Sequence, residues 1–244
     1  MKYKPMISAV NENGGIVVKE NQKRNAITGF VGAVLFMIGD CLLYVYPGRD
    51  AHLDIDPVFA GMPVWRFTAS AFLGFFGMAL MLFGFQSLYQ MTKKVCGAIT
   101  QKIMLIGGAG VGGTAFAHFN LVSLMPLTYK AILSNGGSVD LAEKSCQVMA
   151  GWITPIDLVI IIALYIQFIV LGYMLISKKC GLSRWYILVS PIGAIALGIL
   201  WSAIFKGTVL EGAWGACESL GEGFMYITAW AYWKKQTAEG DENG

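Results

Sequence analysis

Charge is what this sequence has least of. Only 14% of its 244 residues are charged, against about a quarter in a typical soluble domain, and mean hydropathy is +0.59. So little charge excludes an ordinary water-exposed globular surface. The net charge of +3 comes from loops, so no nucleic-acid partner is expected. Histidine is nearly missing, with two in the chain, and a zinc site needing three or four close ligands would have to set one imidazole among carboxylates. The five cysteines, Cys41, Cys96, Cys146, Cys180 and Cys217, show no C-x-x-C spacing, which argues against a disulfide or zinc framework. No G-x-S-x-G nucleophile elbow occurs, since Ser219 in CESLGEG lacks the first glycine, so serine hydrolase chemistry has no support. No lysine lies deep in an apolar run, which argues against a retinal Schiff base.

Long apolar runs take the place of charge. A helix needs about 20 such residues to cross roughly 30 Å of hydrocarbon, and runs of this kind lie near 26–46, 67–91, 103–127, 152–176, 185–205 and 209–233. The expected fold is all-α, a polytopic transmembrane helix bundle of six spans in a lipid bilayer. It has a polar segment at 1–25, a six-helix domain at 26–233 and a polar tail at 234–244. The first run is longer than a signal-peptide apolar region and has no convincing cleavage site, so it is expected to be an uncleaved anchor. Most of the 18 basic residues fall in the amino-terminal segment, the second and fourth loops and the tail, whereas Arg49, Arg66, Lys130, Lys144 and Lys206 fall on the opposite side. By the positive-inside rule both termini are expected to be cytoplasmic, in the plasma membrane if the cell is prokaryotic. Tyr44, Tyr46 and Trp65 at the outer interface, and Tyr89, Trp185, Tyr186, Trp230, Tyr232 and Trp233 at the inner one, read as an aromatic belt.

The stretch Met104 to Phe119, MLIGGAGVGGTAFAHF, places Gly108, Gly110 and Gly113 in the G-x-G-x-x-G pattern of dinucleotide-binding turns. That fold needs a strand before the glycines, an acid about 20 residues after them and alternating strands and helices. Here the motif lies inside an apolar span, so no nucleotide cofactor is expected. The glycines read instead as points of close helix approach, as do Gly74 and Gly77 in span two and Gly215, Ser219 and Gly223 in span six.

Ionisable side chains in a bilayer are costly, roughly 2.5 to 3.5 kcal/mol at a helix centre, and usually face a bundle interior and mark function. Asp40, His118, Asp157, Glu218 and Glu222 are the candidates for ligand binding or proton relay. At about 1.5 Å rise per residue, Asp40, His118, Asp157 and Glu218 all fall in the outer half, with Glu222 deeper. Glu211, Glu218 and Glu222 are offset by seven and eleven, which on a helix gives one stripe. Three such carboxylates cannot all stay charged without a compensating cation, metal or water. Asp157 follows Pro155, where the first turn of a helix would favour an acid. Arg66 and Glu211 stand at the expected outer mouth, where Arg66 either meets an acidic ligand or snorkels.

Two long outer connections flank these spans. In RDAHLDIDP, Asp50, His52, Asp54 and Asp56 alternate, so an extended segment would project them to one face as weak divalent-metal candidates. In the other, Ser138 is placed to cap a short amphipathic helix lying on the outer surface. Three functions follow from these residues. The first is an outward-facing polar or acidic pocket that binds or transports a cation or small polar ligand with proton coupling. The second is an intramembrane enzyme, with or without a metal, acting on a lipid-like substrate. The third is an accessory subunit whose ionisable groups satisfy one another and leave no pocket.

Overall fold

A computed structural model describes residues 12–49 and 55–241. Among them there is no strand. The chain runs as α1 (Glu12–Tyr44), α2 (Val64–Val95), α3 (Ala98–Phe119), α4 (Met125–Ser134), α5 (Val139–Ile176), α6 (Pro191–Ile204) and α7 (Cys217–Asp241), with short 3₁₀ segments before α2, α6 and α7. Large apolar side chains cover the outside: Phe72, Phe75, Phe76, Val159, Ile169 and Ile199 are all exposed. Contiguous apolar exposure of this extent is unusual for a soluble monomer and suits lipid. The chain is an integral membrane protein.

Four helical stretches are long and apolar enough to cross a bilayer: Val18–Tyr44, Val64–Val95, Ala98–Ser134 and Val139–Ile176. The last two expected spans look different. α6 has 14 residues, roughly 21 Å at helical rise, against a hydrocarbon core of roughly 30 Å. α7 is longer, at 25 residues, but carries Glu218, Glu222, Lys234 and Lys235, so its apolar character is interrupted. The α1 helix also begins well before the apolar run, so residues 12–25 of the polar segment are helical and continuous with the first span.

Small residues decide how closely the helices approach. On α1, Gly29 and Gly32 lie against Gly84 and Gly77 of α2, where an added Cβ would strike backbone. The glycines of MLIGGAGVGG face two neighbours: Gly110 meets the backbone of Ala163 and Leu164 on α5, Gly113 meets Ile160, and Gly108 meets the ring of Phe85 on α2. Helix contact, and no phosphate turn, accounts for the motif. On α7, Gly223 packs on Phe30 and Ala33 of α1, and in the 3₁₀ segment before it Gly215 lies under the ring of Tyr44.

Prolines bend the expectation in two places. Pro126 cannot donate to the carbonyl one turn earlier, and the chain answers with a π turn at Asn120–Leu124 between α3 and α4. Pro155 starts no helix. It lies inside α5, which runs unbroken for 38 residues. Ser138 does cap that helix, accepting from Leu141 N at 3.1 Å, but the expected short surface helix proves to be its first turns.

Polar contacts gather at the two ends. At one, Lys19 Nζ donates to the Gln236 carbonyl at 2.6 Å and Lys235 Nζ to the Gly181 carbonyl at 2.9 Å. At the other, Lys130 Nζ donates to the Ala60 carbonyl at 2.7 Å. Trp65 and Trp185 are exposed as belt residues should be, but Tyr232 and Trp233 belong to the core, with Trp233 Nε1 donating to the Ser87 carbonyl at 3.3 Å. All five cysteines are free thiols, and burial pushes the Cys96 thiol in the α2–α3 turn above its ordinary value.

Candidate functional site

Gly39 allows α2 to close on α1, and its carbonyl accepts from Ser70 Oγ at 2.7 Å. The carbonyl of Ser70 accepts in turn from His118 Nε2 at 3.0 Å. One turn along α2, Gly74 has no side chain where the imidazole sits, and an added Cβ would collide with the ring. Phe36 of α1 covers it, with ring centroids 4.4 Å apart. His118 Nδ1 then faces Asp40 Oδ1 at 3.2 Å, and Ser219 of α7 donates its hydroxyl to Asp40 Oδ2 at 2.5 Å. Asp40 and His118 are each 6% exposed, so α1, α2, α3 and α7 meet at one buried polar knot.

The donor inventory fixes the proton count. A carbonyl only accepts, so Nε2 must carry a proton. An unprotonated Nδ1 facing an ionised carboxylate would set lone pair against lone pair. One proton therefore lies between Asp40 and His118, as imidazolium with carboxylate or as imidazole with carboxylic acid. Both forms are neutral overall, which suits burial in a low-dielectric interior.

Beside the knot is a cavity of about 130 Å³, lined by Asp40, His118, Thr114, Glu218, Ser219 and Glu222 among apolar side chains. A cavity of this size and polarity has room for several waters. Glu222 forms its deep wall, 2% exposed, with Oε1 accepting from Gln167 Nε2 at 2.8 Å and Oε2 from the Tyr226 hydroxyl at 2.9 Å. Glu218 stands one helical turn away at the opening, exposed, and accepts from the Tyr165 hydroxyl at 2.5 Å. The third carboxylate of the expected stripe is elsewhere. Residues 209–216 form a 3₁₀ helix of about three residues per turn, so the offset of seven from Glu211 to Glu218 no longer returns to one face. Glu211 Oε2 instead accepts from Gly207 N at 2.7 Å and closes the turn after α6.

Other candidates are placed differently. Asp157 is buried within α5, far past the first turn, so the helix-dipole rationale does not apply, and it does not line the cavity. Arg66 donates from Nε to the Leu42 carbonyl and from Nη2 to the Val45 carbonyl, each at 2.7 Å. It thereby caps the last carbonyls of α1, where a cation also meets the negative end of the helix dipole, and its guanidinium lies 5.1 Å from the Tyr46 ring centroid. Arg66→Ala is expected to lower stability by about 2 kcal/mol, seen as a lower thermal midpoint and faster amide exchange in the last turn of α1. Asp50, His52 and Asp54 lie outside the described residues. Asp56 caps the 3₁₀ turn Pro57–Ala60 by accepting from Val58 N at 2.8 Å, and pairs with Arg49 Nη1 at 2.9 Å. Among the described residues no group of three or more His, Cys, Asp or Glu side chains could hold a metal.

Ser219 is no nucleophile of the serine-hydrolase type. It donates to Asp40, while His118 holds its two nitrogens toward Ser70 and Asp40, so no imidazole faces the hydroxyl. Four partners at the site went unremarked in the sequence: Tyr165, Gln167, Tyr226 and Ser70. Gln167 carries a usable signal as the one amide in the apolar run LYIQFIVLGY, and Tyr226 stands one helical turn from Glu222.

Fold and site together define a class: a helical integral membrane protein with a buried Asp–His pair and two carboxylates around an internal cavity. The chain belongs to a family of unknown function, DUF6796, which matches residues 11–236. No curated protein and no solved structure matches it.

Proposed function

We propose that the protein binds a small cation in the Asp40–His118–Glu218–Glu222 cavity and couples binding to proton release. The observation that carries this reading is the convergence of these four ionisable groups, from α1, α3 and α7, on one cavity whose lining includes no lysine or arginine. A polar network serving packing alone would fill that space. A cation entering it meets the Glu218 and Asp40 carboxyl oxygens and takes the place of the proton held between Asp40 and His118, which leaves. The other titratable groups lining the cavity beside the pair are Glu218 and Glu222 from α7 and Tyr44 from α1, while α2 contributes a carbonyl and a glycine to His118. In this reading α6 and α7 complete six crossings, both termini are cytoplasmic, and the cavity opens outward across a plasma membrane. Small residues along the helices support the accessory-subunit alternative equally well, but the cavity does not.

Titrating methylammonium into protein held in lipid nanodiscs, in weak buffer, is expected to release protons in proportion to binding. Asp40→Asn and Glu218→Gln should each weaken binding at least tenfold, about 1.4 kcal/mol. If wild-type protein shows neither heat of binding nor proton release across neutral pH, the reading fails.

A further inference from the structure

A second cavity, of about 300 Å³, adjoins the first and shares Tyr44, Gly215 and Glu218 with it. Its walls include three aromatic side chains, Tyr44, Tyr165 and Trp214, and its polar floor is the Glu218 carboxylate. No basic side chain lines it.

Two of the three walls are held by side-chain contacts. The Tyr44 ring rests on Gly215, where a Cβ would strike it. The Tyr165 ring is fixed by its hydroxyl bond to Glu218 and by an edge contact with Phe168, centroids 5.2 Å apart. Trp214 stands three residues before Cys217 in the 3₁₀ segment. Arg49 does not line the cavity; its guanidinium lies 5.4 Å from the Tyr44 ring centroid and its charge is answered by Asp56.

Aromatic faces carry negative quadrupole density and attract cations, most strongly when the cation is poorly hydrated. A metal ion or a bare ammonium keeps its water unless several oxygens replace it, and this cavity offers one carboxylate. A substituted ammonium brings a diffuse charge and apolar methyl groups, which match three rings and a single carboxylate. We infer that the Tyr44–Tyr165–Trp214 vestibule, closed by Glu218, binds a substituted ammonium ion. The inference rests on the reading of Glu218 as a cation site and names the chemical class that the site takes. Glu218 lines both cavities and Tyr165 the second, so the Tyr165–Glu218 bond stands where the two adjoin.

The test uses tetramethylammonium and methylammonium as probes on the full chain in nanodiscs. Tetramethylammonium is expected to bind the wild type, and Trp214→Leu to weaken it roughly tenfold, while methylammonium-linked proton release stays unchanged. Tyr165→Phe keeps the ring and should retain tetramethylammonium binding within about threefold. If Trp214→Leu loses cooperative unfolding, Trp214→Phe reads the same wall with a smaller loss. Equal tetramethylammonium affinity in wild type and the tryptophan variants, or no binding of it while methylammonium still releases protons, overturns the vestibule and leaves the inner cavity's reading standing. Tetramethylammonium binding without any methylammonium response does the reverse.

Discussion

Asp40→Ala is expected to lower the stability of the protein by about 3–5 kcal/mol, the usual result of removing one member of a buried charged pair. The substitution leaves His118 Nδ1 facing a cavity wall with no acceptor, and the Ser219 hydroxyl loses the carboxylate it donates to at 2.5 Å. Both groups are buried, so water replaces neither partner fully. A sharp drop in thermal midpoint in detergent or nanodiscs checks this. A double-mutant cycle with His118→Ala isolates the pair, and a coupling energy between about 0.5 and 3 kcal/mol is expected. A coupling near zero would mean that Asp40 and His118 are held by their other neighbours, and the shared-proton account would fall.

The second large effect lies away from any ionisable group. Gly110→Val is expected to destabilise by about 3 kcal/mol or more, at the upper end of overpacking effects. The added Cβ meets backbone atoms of Ala163 and Leu164, which cannot rotate aside as a side chain would. α3 and α5 must then separate, and Gln167, which packs on Gly107 along the same seam, moves away from Glu222. Gly112 supplies the control. It is exposed with nothing within 4 Å of an added Cβ, so Gly112→Ala should be neutral or stabilise by up to about 1 kcal/mol through helix propensity. Equal behaviour of the two variants in thermal unfolding would contradict the close-approach account of this glycine-rich stretch.

The residues of that stretch also show what could be read in advance. Membrane character follows from composition, and helical class from apolar runs of about 20 residues, since only helices and closed barrels satisfy their backbone in lipid and barrel strands are about half that length. Asp40, His118, Glu218 and Glu222 stood out because a charge inside an apolar run is expensive, and depth along each helix brought the first three near one level with Glu222 below them. Rotation about each helix axis is harder to read. Asp157 has the same kind of depth but does not line the cavity, and Arg66, placed at a mouth by sequence, turns toward the end of α1. Lengths failed where proline and glycine act through tertiary contacts: Pro155 sits inside a helix, and the 3₁₀ turns before α7 broke a stripe that α-helical periodicity predicted. Tyr165, Gln167 and Tyr226 escaped notice because a neutral polar group in a span has no comparable penalty, and its role depends on which carboxylate it meets.

The unbroken course of α5 has a mechanical consequence. Tyr165 and Gln167 both belong to this one 38-residue rod, and they bond Glu218 and Glu222 respectively. A helix that moves as a rigid piece cannot release one of these carboxylates while keeping the other's geometry unchanged. Any sliding or tilting of α5 against α7 therefore acts on the exposed carboxylate and the buried one in the same stroke, tying events at the opening of the cavity to those at its floor.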